Sequence, residues 1–260
     1  MNKNSIPPLD YIDAFLPVGR INRAAVQSPQ DFSDALKIMD QYHVSEALIY
    51  STLALNDPHL NNEVVCTFDS PRVHKIWAFD PAYVIKESPE QFLERALKNS
   101  AKAIMANPLM RDWRVDRSVR LLELAKQLEK RKIPLLLAHR AWDSGQDVID
   151  WYRMIDFCNQ FPTLPVITWE WRSRANRPLF DALSQADNLK LILSSIWQSQ
   201  MVRQLSEAFG AKRLIFSLGL PFLNPGSFHG LVNYAAISQS DKQAIASGNI
   251  RRILSEARYE

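Results

Sequence analysis

The stretch "ITWEWRSR", residues 167–174, ends an apolar run with Glu170 set between Trp169 and Trp171 and followed by Arg172 and Arg174. A carboxylate beside indoles can serve as an acid or a base. An arginine fork matches a carboxylate or phosphate with two parallel hydrogen bonds. A second run, "IPLLLAHR" (133–140), delivers His139 and Arg140 in the same way. Imidazole is the side chain whose charge changes nearest neutral pH. "YIDAFLP", "KIWAFDP" and "AKAIMANP" contribute Asp13, Asp80 and Asn107. His139 and Glu170 are therefore the acid–base candidates. Asp13, Asp80, Asn107, Arg140, Trp171, Arg172 and Arg174 are the candidates for holding a ligand.

Each candidate has a plainer reading beside it. His139 can be a core histidine bonded to a carboxylate, and Asp80 can cap the turn that follows it. Asp13 can be a buried hydrogen-bond anchor, although parity with positions 15 and 17 aims it inward. The arginines can be a solvated face. Ser194 and Ser195 close another apolar run, but nothing of the Gly-x-Ser-x-Gly type surrounds them.

Eight short apolar runs are needed to carry these residues, and eight are present: "YIDAFLP", "EALIYST", "KIWAFDP", "AKAIMANP", "IPLLLAH", "LPVITWEW", "LKLILSS" and "RLIFSLGLP". Amphipathic stretches such as "SPQDFSDALKIMDQY", "SPEQFLERALKNS" and "SVRLLELAKQLEKRK" separate them. Two of these open with Ser-Pro, which reads as a cap followed by proline in the first turn. Alternation without hairpin turns predicts a parallel sheet, and at this length a single-domain (β/α)8 TIM barrel over residues 1–260. An open doubly wound sheet is the alternative. In the barrel, strand carboxyl ends share one mouth, which is where the candidates would meet.

The chain has 260 residues, 47% of them hydrophobic, with 31 Lys and Arg against 28 Asp and Glu. That near-balance gives no basic face for a nucleic acid. Only 7 glycines occur, where average usage gives about 18, and no glycine-rich nucleotide loop is present. Cys66 and Cys158 lack ligand spacing and read as reduced thiols, which points to a cytoplasmic protein. No run is long enough to span a membrane.

The order of these runs resembles the amidohydrolase superfamily, in particular its amidohydrolase-related branch of metal-dependent hydrolases and nonoxidative decarboxylases. "YIDAFLPVGR" is similar to that branch's first strand, Ile-Asp-x-His-x-His, and "IPLLLAH" to its fifth. "FPTLPVITWEW" is similar to the sixth strand, which ends in His. "AKRLIFSLGLPF" is similar to the eighth, Arg-Leu-x-Phe-Gly-Ser-Asp-x-Pro, and "GNIRRIL" to the closing helix. Carried over residue by residue, the first-strand histidines fall on Phe15 and Pro17. The fourth-strand lysine or histidine falls on Met105 and Asn107. The sixth-strand histidine falls on Glu170 and the eighth-strand aspartate on Gly219, while His139 keeps the family's residue.

A catalytic zinc needs about three protein ligands. The resemblance therefore implies a hydrolase-like barrel without its metal centre and without a cofactor; the arginine and tryptophan cluster adds a small organic anion, or else a protein partner, bound at the mouth, with homodimer formation left open. Two alternatives stand beside this pseudoenzyme reading. One is a metal-independent hydrolase or lactonase using His139 and Glu170. The other is a rebuilt site in which Asp13, Asp80, His139 and Glu170 hold one divalent metal such as zinc.

Overall fold

A computed structural model describes residues 8–21, 25–55, 57–83, 87–108, 113–138, 150–169, 176–193, 196 and 200–260. Each apolar run becomes a strand: β1 (Tyr11–Val18), β2 (Val44–Ser51), β3 (Val73–Phe79), β4 (Ala101–Ala106), β5 (Leu135–Ala138), β6 (Val166–Trp169), β7 (Leu189–Ile192) and β8 (Leu214–Ile215). They pair in parallel and in chain order. The Ala14 amide donates to the Phe216 carbonyl at 3.1 Å, which brings the chain beyond β8 back against β1. The result is a nearly closed (β/α)8 barrel and a single domain.

The helices are α1 (Phe32–Gln41), α2 (Pro58–Asn61), α3 (Pro89–Lys98), α4 (Val119–Arg131), α5 (Trp151–Gln160), α6 (Asn176–Gln185), α7 (Met201–Phe209), α8 (Pro225–Asn233), α9 (Gln239–Gln243) and α10 (Asn249–Glu256). Local chemistry sets their ends. Ser88 caps α3 in a reciprocal box with Gln91, with Pro89 in the first turn, as its Ser-Pro start predicts. The other Ser-Pro pair does not cap. Asp31 begins α1 instead, its carboxylate accepting from the Asp34 amide at 3.0 Å, while Ser28 donates to the Gly19 carbonyl. A carboxylate suits the positive end of a helix better than a hydroxyl three residues upstream.

Strand alternation sorts the side chains into two apolar layers. Ile12, Leu48, Ile76, Leu136, Ile167, Ile192 and Ile215 fill the barrel's interior. Trp77, Leu135, Leu137, Val166, Leu189 and Leu191 face the helices, whose apolar stripes complete the outer layer. Cys158 belongs to that layer, and burial pushes its thiol up to about 12. Both cysteines are free thiols. No described helix is long and apolar enough to cross a membrane.

The amino end of the barrel is sealed. Ile250 and Ile253 of α10 join the interior cluster from below. Arg251 on the same helix reaches Asp10 at 2.9 Å and Glu46 at 2.7 Å, and Glu46 also meets His74 at 2.7 Å. The chain end is tied down too: the Tyr259 hydroxyl donates to the Lys102 and Leu254 carbonyls, and the Lys102 ammonium lies 3.9 Å from its ring centre. With this floor closed, the carboxyl ends of the strands are left to carry function, as is general for such barrels.

Candidate functional site

Asp80 and Asn107 stand directly after β3 and β4. Both are buried. Asp80 Oδ1 accepts the Ala82 amide at 3.0 Å, so one oxygen caps the turn Pro81–Tyr83, in line with its plainer reading. Asn62 fixes the approach to this corner. Its amide brackets Ala78, accepting from that residue's N–H at 2.7 Å and donating to its carbonyl at 2.8 Å. Asn62 is itself buried, and it holds β3 where the strand is about to deliver Asp80.

Between the ends of β3 and β4 lies a cleft lined by Asp80, Asn107 and Trp113 together with Ala54, Pro58 and Met105. Its volume is about 10 Å³, room for about one water. The Trp113 indole N–H is buried and has no acceptor among the described residues. Trp113 carries no signal in the sequence: it follows β4 within a polar stretch with no periodic neighbours. The fold alone brings it beside Asp80 and Asn107.

At β1 the structure departs from the simple alternation. Asp13 pairs with Ala47 and Leu16 with Ile49, so three steps on β1 match two on β2. Such a bulge reverses the facing of everything after it. Ile12 and Ala14 therefore point into the barrel, and so does Phe15. Asp13, between Ile12 and Ala14, faces the other way, and the inward aim inferred from its parity with Phe15 does not hold. Its Oδ1 accepts the Phe15 amide at 3.0 Å, which braces the bulge. The side chain is fully buried, and Oδ2 has no hydrogen-bond partner among the described residues. Burial pushes the carboxyl up to about 6, moderated by the Phe15 amide, the Ser217 hydroxyl and the Leu218 amide.

The bulge puts Phe15 in the lumen, where its ring stacks on Tyr50 with centroids 4.4 Å apart and planes 25° from parallel. Both rings are buried. Pro17, two residues on, is the register partner of Tyr50. At the eighth strand, Gly219 adopts φ +72° and donates its N–H to Ser217 at 3.3 Å. A Cβ at Gly219 would lie 2.4 Å from a ring carbon of Phe228 and 3.1 Å from Leu223 Cβ. Phe228, buried on α8, thus fills the space in which a side chain at this position would begin.

His139, Arg140, Glu170, Trp171, Arg172 and Arg174 lie outside the described residues. Their immediate predecessors in the pairing are described: Ala138 and Trp169 are register partners on β5 and β6. Among the described residues no three of His, Cys, Asp and Glu converge as metal ligands do. A phenyl ring at position 15, a proline at 17 and a hemmed-in glycine at 219 offer no donor. These three positions therefore supply no metal ligand from the described side of the mouth.

No family model matches the chain. No curated protein matches it by sequence. Solved structures match it over nearly its whole length. The 5-carboxyvanillate decarboxylase of Sphingomonas paucimobilis superposes with a TM-score of 0.73 at 14% identity, over 95% of this chain and 99% of the other. The 2,6-dihydroxybenzoate decarboxylase of Rhizobium gives 0.71 at 16% identity, over 95% and 99%. An amidohydrolase of Mycobacterium avium subsp. paratuberculosis gives 0.64 at 15% identity, over 86% and 74%. The architecture is a (β/α)8 barrel shared with these two decarboxylases and this amidohydrolase. At these identities it is the fold that is shared, and a fold of this kind hosts many chemistries.

Proposed function

We propose that this chain is an amidohydrolase-type barrel that lacks the superfamily's metal centre and binds a small organic anion at the carboxyl-end mouth. The observation that carries the proposal is Phe15. It stands where the resemblance puts the first metal-binding histidine, and it is buried face to face with Tyr50. A phenyl ring offers a cation no ligand atom, and stacked on Tyr50 it occupies the place of the side chain that would have supplied one. Gly219 adds to this, since the space beside it already belongs to Phe228. The anion half of the reading rests on Arg140, Arg172 and Arg174, with the indole of Trp171 beside them in the sequence. Guanidinium stays charged at any ordinary pH and grips a carboxylate in a fixed geometry.

Elemental analysis of the purified protein tests the first half. Zinc, manganese and iron are expected far below one equivalent, and added zinc should leave the melting temperature unchanged. A tightly held metal near one equivalent, with a melting temperature that rises on zinc addition, overturns the reading. The second half is tested by calorimetric titration with propionate, the simplest anion with an apolar tail, which should bind in the metal-free preparation.

A further inference from the structure

At the amino end of the barrel, one lysine stands among other cations. Lys190 on β7 is the register partner of Ile167, so it shares the lumen face near the floor that α10 closes. Its ammonium donates to the Asp187 carbonyl at 2.9 Å, its one partner among the described residues. The Asp187 carboxylate turns to Arg213 instead, at 3.4 Å. Arg213 is buried and is held by the Leu189 carbonyl at 2.7 Å and the Leu183 carbonyl at 3.1 Å, which fixes its charge beside the same turn. Arg252 on α10 and Lys212 in the turn before β8 are exposed, and both act on Lys190. Burial, then Arg213, Arg252 and Lys212, bring the Lys190 amine from 10.5 down to about 8, against the opposing pull of Asp187. Lys190 is half-buried, and Asp187, which its ammonium touches, is exposed.

An amine that is partly neutral near pH 8 is a nucleophile. Fixed cations around it draw in a reagent that carries negative charge. We propose that Lys190 is an acylation site for acyl phosphates, with the exposed Arg252 and Lys212 gathering the phosphate and Arg213 as the fixed charge behind them. The neutral amine attacks the acyl carbon and a C–N bond forms. The C–O bond to phosphate breaks, inorganic phosphate leaves with the bonding pair, and the nitrogen gives its extra proton to water. The amide that results is neutral, so one of the crowded positive charges is removed. This site lies at the opposite end of the strands from the mouth and is independent of the anion reading there.

Acetyl phosphate is the probe, incubated with the full chain and followed by mass spectrometry of a chymotryptic digest. Lys126, exposed on α4, is the internal reference. At pH 7.5 an amine titrating at about 8 is about one quarter neutral, against about one part in a thousand for a solvated lysine. Its lower basicity returns much of that advantage, so Lys190 should be acetylated about tenfold faster than Lys126. Its rate should level off above about pH 8.5, while that of Lys126 keeps rising. Arg252→Gln, or raising NaCl from about 0.05 to 0.5 M, should slow Lys190 about threefold and leave Lys126 nearly unchanged. Equal rates at the two lysines, or no modification of Lys190, overturn the site. So does a fast Lys190 that ignores both the salt and the substitution, because the cations would then have no part in it. Should Arg252→Gln fail to fold, the salt series in the wild type decides alone.

Discussion

Replacing Asp13 by asparagine should make the protein more stable at pH 8 and much less so at pH 4.5. The folded carboxyl binds its proton at about 6, against 3.8 for an ordinary aspartate. Between those values the folded chain holds a proton that the unfolded chain has released. Stability therefore falls as pH rises through that window and levels off above about 6. With these two values, the wild type is penalised by about 1 kcal/mol at pH 4.5 and about 3 kcal/mol at pH 8. Asparagine does not titrate, so the stability gap between variant and wild type should widen by about 2 kcal/mol between the two pH values.

The change with pH is a better measure than the gap at any one pH. The asparagine carbonyl can keep the Phe15 amide bonded, but its NH2 brings a buried donor where the carboxyl had an unpartnered oxygen, which offsets part of the gain by about 1 kcal/mol. That offset is the same at every pH and cancels from the difference, as do the other titrating groups, which both proteins share. Urea unfolding at several pH values between 4.5 and 8 gives the curve. At this chain length, 2 kcal/mol corresponds to about 4–8 °C in melting temperature. A gap that stays constant across the range would refute the reasoning, because it would mean that Asp13 is ionised at an ordinary pKa and fully compensated. A gap that narrows as pH rises would reverse it.

Gly219→Ala should destabilise the fold by about 2–4 kcal/mol in the same urea assay, because the new methyl meets the Phe228 ring at 2.4 Å and the backbone sits at φ +72°. A loss under about 1 kcal/mol would show that Phe228 yields easily. If the alternative enzyme reading holds, His139→Asn and Glu170→Gln should each lower any lactone hydrolysis by about a hundredfold, the usual share of a general acid or base. Unchanged rates in both would leave that reading without machinery.

The barrel was legible in the sequence because eight apolar runs of the right length recur between amphipathic ones, and burial on both faces leaves a parallel strand few other compositions. Asp80 and Asn107 were legible for the same reason: the residue after such a run is at the mouth by construction. Asp13 was not, since a single extra residue between Asp13 and Leu16 turns the later part of β1 over, and bulges leave no mark in composition. Trp113 was hidden because it comes from a connection after β4 whose path depends on tertiary packing. The α1 cap was misplaced by three residues, as Ser28-Pro29 and Asp31 compete for the same role and only the chain's entry angle decides between them.

The bulge at β1 also decides which side chains reach the lumen. Phe15 reaches the lumen only because β1 gains a residue at Asp13, and the cost of burying that carboxylate is the cost of keeping the bulge in register. The phenyl ring then stacks on Tyr50 inside the barrel. Nothing in the floor depends on this arrangement. Arg251, Asp10, Glu46 and His74 tie α10 across the amino end, far along the strands from Phe15 and Gly219. Stability and chemistry occupy opposite ends of the same eight strands, so the mouth can be rebuilt around aromatic rings while the floor keeps the barrel closed.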